Sequence, residues 1–240
     1  SAAANQQPWV AGRVVSWDRL SPTDFPDSGV IVLANVARPD PAWQYPLTEF
    51  VQAGGGLLVT LGDRTDPAAW SDWADSTGLL PARIGDTPGS ATGSAAVRVD
   101  SESLAGSWMA RFGTTRQGGF TEARFTGWWP LEPLEGSVAP RIAAVLENGK
   151  PLLVTGRMGR GHLAVWSSTL DADWNTLPAR PDYVSFLHEV LFYLAGGQST
   201  RTVTPGDPLL LSVGDDFRHD QYVVVGPGGL RFEIEEAGSG

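Results

Sequence analysis

The sequence predicts an α/β domain on a mainly parallel sheet, followed by a short C-terminal all-β appendage. Three observations carry this. The runs Gly29-Val30-Ile31-Val32-Leu33-Ala34-Asn35 and Leu57-Leu58-Val59-Thr60-Leu61-Gly62 are unbroken and apolar, as strands buried on both faces of a parallel sheet must be. Stretches of helical spacing lie between these runs and again at Tyr183 to Ala195, as alternating strands and helices require. After Gln198 the pattern changes to short strand-like runs divided by Gly, Pro and Asp turns.

Taken in order, Trp9 to Trp17 alternates loosely and reads as a first strand, and Pro22 and Pro26 then force a loop before the Gly29 run. Pro41 suits a first helical turn. Leu47, Phe50 and Val51 follow at core-facing spacing, and Gly54-Gly55-Gly56 stops the helix. With the Leu57 run this makes a βαβ unit, whose right-handed crossover places both strands parallel in one sheet. Pro67 to Thr77 reads as a short helix carrying Trp70 and Trp73, and Gly85 to Gly93 as a mobile Gly/Ser/Thr/Pro loop.

Further on, a strand is expected at Ala96 to Val99, a helix at Leu104 to Phe112, and strands at Phe120 to Trp128 and Ile142 to Leu146. Pro151 to Gly156 and Gly161 to Ser167 form a hairpin across Arg157-Met158-Gly159-Arg160, where Gly supplies positive φ. Val184, Leu187, Val190, Leu191 and Leu194 mark a core-facing helix that Gly196-Gly197 ends. The α/β domain therefore covers 1–197. The remainder, 198–240, with strands at Pro208 to Val213, Tyr222 to Val225 and Leu230 to Ile234, opens a β-sandwich-like module that is cut short.

Composition excludes several classes. A chain of 240 residues buries about three quarters of its unfolded surface without staples. Against 27 acidic residues stand 17 basic ones, all Arg except Lys150, and the net charge of -10 repels phosphate backbones. Nucleic acid is excluded as a partner on that ground. There is no Cys, which removes disulfides, thiolate metal sites and a thiol nucleophile together. No stretch has the apolar length of a spanning helix. Ser1-Ala2-Ala3-Ala4 and Gly238-Ser239-Gly240 read as cut edges of a longer polypeptide.

Phe50-Val51-Gln52-Ala53-Gly54-Gly55-Gly56-Leu57-Leu58-Val59 resembles the helix-to-strand segment of class I glutamine amidotransferase-like and ThuA-like domains. Gly149-Lys150-Pro151-Leu152-Leu153-Val154, Gly159-Arg160-Gly161-His162 and Ser168 to Pro178 resemble the matching stretch of large bacterial membrane proteins with a BatA-type domain, relatives of the Bat aerotolerance operon products. The helix from Pro181 to Gly197 continues the likeness. The resemblance implies a three-layer, flavodoxin-like domain displayed on the extracytoplasmic, periplasmic side of the membrane beside von Willebrand factor A-like or immunoglobulin-like modules. Amidotransferases of this family attack with a Cys held against an oxyanion hole, and this chain has none. Where ThuA-like relatives show a His, Gly62-Asp63-Arg64 stands here.

Asp63 and Arg64 follow the carboxyl end of a parallel strand, where open α/β sheets bind ligands. They are candidates for gripping a small polar group, or else a loop cap and a solvated Arg. Asp171, Asp173 and Asn175 alternate as calcium ligands do, but a Gly at the sixth position and a Glu at the twelfth are missing; the other role of the two Asp residues is to tie down the loop while Trp174 seals the sheet edge. His162, His188 and His219 have no metal-binding spacing, and Ser167 and Ser168 lack a G-x-S-x-G elbow. Gly156 to Gly161 is followed by a strand and not by the helix that a phosphate loop requires. Neighbouring Trp128 and Trp129 face opposite ways in a strand, so either one projects as an interaction anchor or the pair joins a satellite cluster beneath a long loop.

The expectation is a non-catalytic scaffold or protein-interaction domain with no catalytic residue, metal or cofactor. Its partners are other domains of the same membrane protein or envelope proteins, and it meets the membrane only through segments outside this sequence. Two alternatives stay open. One is a small-molecule-binding or hydrolytic enzyme using Asp63, Arg64 and Asp171, and the other a carbohydrate-binding surface of Trp128, Trp129 and Trp174.

Overall fold

Every residue of the strand Gly56–Thr60 is buried, as its unbroken apolar run demands. The strand lies inside a five-stranded sheet in a computed structural model that describes residues 12–16, 19–25, 29–105, 107–113, 119–134 and 139–196, with the strand residues 224–225 and 231–232 beyond them. The chain divides into two units, Ser1–Ser199 and Thr200–Gly240.

The first unit begins its sheet with β1 (Val30–Ala34), α1 (Gln44–Gln52) and β2 (Gly56–Thr60). β1 and β2 pair in parallel from Val30 opposite Gly56 to Ala34 opposite Thr60. A turn at Pro41–Trp43 leads into α1, with the Asp40 carboxylate accepting from the Ala42 N–H at 2.8 Å. β1 is less buried than its sequence suggests, because it is an edge strand and Val32 remains 42% exposed.

Asp66 caps α2 (Pro67–Thr77) by accepting from the Ala69 N–H at 3.2 Å, and Gly78 ends it at φ 64. Then come β3 (Ala82–Ile84), β4 (Gly89–Ser90), β5 (Gly127–Trp128) and β6 (Leu131–Pro133), which form two small antiparallel pairs, β3 with β6 and β4 with β5. The Gly85 to Gly93 segment thus contains a paired strand, and the Trp128 ring covers Gly89 so closely that a Cβ there would lie 2.5 Å from it. The expected helix at Leu104 to Phe112 is replaced by 3-10 turns at Glu102–Leu104 and Ala110–Phe112. Ala96 to Val99 makes isolated bridges, Val97 to Phe125 and Val99 to Leu146. Phe120–Glu122 is a further 3-10 turn, so the strand expected from Phe120 is reduced to β5.

β7 (Arg141–Val145), β8 (Pro151–Met158) and β9 (Gly161–Trp166) complete the sheet, and α3 (Tyr183–Leu194) follows. The strand order is β1-β2-β9-β8-β7, with β9 parallel to β2 but β8 antiparallel to both β9 and β7. The expectation of a three-layer, flavodoxin-like, mainly parallel sheet is therefore corrected: the sheet is mixed, with three α-helices among the described residues of its unit. The physical cause is connection length. Met158 and Gly161 pair across Gly159-Arg160, with Gly159 at φ 58, and so tight a turn can join only antiparallel strands.

β7 is irregular in register between Ile142 and Ala144 and again between Ala144 and Val145. Loop groups occupy its outer border, where the Asp100 N–H donates to the Val145 carbonyl at 2.9 Å and the Val145 N–H donates to the Ser103 hydroxyl at 3.0 Å.

One core joins α1 and α2 to Leu33, Leu57, Val59, Leu163 and Val165, while a second packs α3 against Leu58, Leu153, Ala164 and Trp166. Alternation along β2 and β9 sends successive side chains to these two cores. In the second unit, β10 (Val224–Val225) and β11 (Arg231–Phe232) pair antiparallel. The strands expected at Trp9 to Trp17 and Pro208 to Val213, and the β-sandwich assignment, fall largely outside the described residues, although 12–16 contain no strand. No helix among the described residues is long and apolar enough to cross a membrane.

Candidate functional site

The carboxyl ends of β1, β2 and β9 point the same way and deliver Asn35, Leu61 to Thr65, and Ser167 to Thr169 to one edge. Asn35 adopts φ 48, a left-handed conformation that Asn tolerates better than most residues. Its Nδ2 donates to Asp63 Oδ1 at 2.7 Å, and its Oδ1 accepts from the Arg64 N–H at 3.2 Å. Gly62 is required here, since a Cβ would lie 2.5 Å from the Asn35 side chain. The Thr65 hydroxyl accepts from the Gly62 N–H at 3.0 Å. Asp63 and Arg64 are exposed; they sit together on a pinned turn.

Behind that turn the edge is filled by protein. The Trp129 indole N–H donates to the Gly62 carbonyl at 2.9 Å, and the Trp129 backbone N–H donates to the Ser167 carbonyl at 2.7 Å. Ser168 donates its hydroxyl to the Gly127 carbonyl at 2.8 Å. Ser167 is fully buried, and its hydroxyl has no partner among the described residues. Both serines are buried, and among the described residues neither has a base as its hydrogen-bond partner.

Trp128 and Trp129 do point opposite ways, yet both are buried, at 7% and 5% exposure. Each side of the strand has its own core, the α3 side for Trp128 and the α1 side for Trp129. Of the two readings offered for this pair, the projecting anchor is the one their burial removes. Trp174 lies over Gly127, where a Cβ would come within 2.6 Å of its ring, and its carbonyl accepts from the Thr126 N–H at 2.7 Å.

Asp171 Oδ1 accepts from the Asp173 N–H at 3.0 Å while both residues stay exposed. Asn175 is buried and spends both ends of its amide locally, donating to the Thr169 carbonyl at 2.8 Å and accepting from the Leu177 N–H at 3.0 Å. That removes the third member of the calcium-like spacing. No group of three metal-ligating side chains occurs among the described residues.

No known protein family matches this chain. No curated protein matches it either. Solved structures do share its fold. The cytoplasmic protein STM3548 from Salmonella typhimurium is 18% identical over 72% of this chain and 74% of its own, with a TM-score of 0.55. The cytoplasmic protein STM1381 from Salmonella typhimurium LT2 is 16% identical over 72% of each chain, with a TM-score of 0.50. The mmIFT52 N-terminal domain is 13% identical over 75% of this chain and 82% of its own, with a TM-score of 0.53. At such identities the likeness is one of fold alone.

Sequence reasoning located Asp63, Arg64 and the Ser167-Ser168 strand end, but it missed Asn35 and gave Trp129 a place on an interaction surface and not at this edge. An Asn closing a β-branched run at the ligand-binding end of a strand was the available signal for the first. Nothing local marked the edge role of Trp129, whose partner Gly62 lies in a distant part of the sequence.

Proposed function

We propose that this chain is a non-catalytic scaffold or protein-interaction domain of a bacterial cell-envelope membrane protein, exposed on the extracytoplasmic side. The observation that carries the absence of catalysis is Trp129, whose indole reaches across to the Gly62 carbonyl at 2.9 Å. Open α/β sheets take their ligands at this edge, and here the protein's own side chain occupies it. Without a Cys, the edge has no group that can form an amidotransferase thioester. The likeness of residues 149–178 to BatA-type membrane proteins supports the envelope assignment. The burial of Trp128 and Trp129 removes two of the three rings that a carbohydrate platform needs.

The test has two arms. The full chain incubated with glutamine, activated esters and aryl glycosides is expected to give no turnover above a heat-unfolded control; turnover abolished by Asp63→Asn would overturn the non-catalytic reading. Protease treatment of spheroplasts carrying the full-length gene product is expected to digest this domain from outside, and protection until lysis would overturn the envelope assignment.

A further inference from the structure

At the amino end of β9, far from the edge just described, the sheet assembles a group with no role so far. Arg141 stands opposite Thr155 in the β7–β8 ladder, and Arg157 stands opposite His162 in the β8–β9 ladder. Cross-strand partners share a face, as do residues two apart on a strand. Arg141, Thr155, Arg157 and His162 therefore share one face of the sheet.

Tyr193, near the end of α3, joins them. Its ring lies 4.9 Å from that of His162, nearly edge-on at 68°, and Trp108 stacks on it at 4.9 Å and 10°. Burial raises the Tyr193 hydroxyl above its ordinary value, while the Thr155 hydroxyl and the Arg157 and Arg141 guanidiniums pull it down, so all three lie within its electrostatic reach. Phe186, Val190 and Leu194 anchor α3 in the core, which fixes the phenol in place.

Arg83, Arg98 and Arg111 pair with Asp75, Glu122 and Glu189. Arg141 and Arg157 are exposed and have no ion pair among the described residues. They occupy diagonal cross-strand positions, roughly 7–8 Å apart at the backbone, where like charges repel. Among the described residues no carboxylate pairs with either of them, in a chain whose net charge is -10.

We propose that Arg141 and Arg157 clamp the phosphoryl group of a small soluble ligand, with the Tyr193 hydroxyl as a further hydrogen-bond donor. A dianion balances two guanidiniums where a single carboxylate does not, and each guanidinium fork fits two phosphoryl oxygens. The site does not depend on the scaffold assignment, because it uses neither Asp63 nor the Trp129 edge.

The test uses the full chain, with inorganic phosphate and phenyl phosphate as probes followed by calorimetry and by 31P line broadening at low salt. Saturable binding is expected with a Kd at or below about 1 mM, weakening as salt is added. Arg141→Gln and Arg157→Gln should each weaken it by roughly tenfold or more. Arg38→Gln, whose partner is Asp66, should leave binding unchanged, and equal thermal melts should show that all variants fold. Tyr193→Phe keeps the stacked ring and should give a smaller loss. Absence of saturation, or equal binding by wild type and both clamp variants, would overturn the site.

Discussion

Asn35 holds the turn after β1 through its backbone and its side chain at once. Asn35→Ala loses both hydrogen bonds and places a Cβ residue at φ 48, whereas Asn35→Gly loses the bonds alone. Urea unfolding should therefore find the Ala variant less stable than the Gly variant by about 1 kcal/mol. Trp129→Phe keeps most of the ring but withdraws the donor from Gly62, and the same measurement should show a loss of about 1–3 kcal/mol. His162 gives the molecule a pH response. Burial first, and Arg157 second, hold its imidazole below the ordinary value, so the unfolded chain takes up that proton more readily than the folded one. The contribution of the neutral ring is then complete above about pH 6.5 and is lost as the pH falls from there toward the lowered folded value. Urea midpoints across this range should slope less in His162→Gln than in the wild type. Asp63 and Arg64 were legible as residues at a strand end because position along a strand is a local property. The identity of the core that takes Trp128 was not, since that core is assembled from α3 and distant loops.

Elements with strong local signals formed where the sequence placed them. α2 runs from Pro67 to Thr77, bounded by an Asp cap and a left-handed Gly, both readable from residue type. Asp66→Ala should cost about 1 kcal/mol in thermal or urea unfolding. The region from Ala95 to Phe125 was poorly legible because its residues satisfy one another through 3-10 turns and single bridges and not through a repeating period. Where α1 meets the β8–β9 hairpin, contact is backbone to backbone: a Cβ on Gly161 would lie 2.1 Å from the Val51 carbonyl oxygen and 2.4 Å from that of Gly55. Neither oxygen can rotate away as a side chain would. Gly161→Ala should therefore destabilise by about 3 kcal/mol or more, visible as a collapsed melting temperature or insoluble expression.

At the scale of the whole molecule, the β1-α1-β2 crossover was legible and the sheet that contains it was not. The hairpin at Gly159-Arg160 was itself readable, and it already required β8 to oppose β9. What no local pattern disclosed was that β9 would lie beside β2, a pairing set by apolar surfaces far apart in sequence. Both cores belong to the unit Ser1–Ser199, so a chain ended at Ser199 should keep a cooperative melt within a few degrees of the full chain, checked by circular dichroism. The broken register of β7, with Asp100 and Ser103 seated on its outer border, bears on behaviour in a crowded solution. A smooth, unpaired margin would invite strands from neighbouring molecules and allow lateral growth into fibrils. On this side the register is kinked and the Val145 groups are already taken, so an incoming strand finds a shortened ladder and less foothold for accretion.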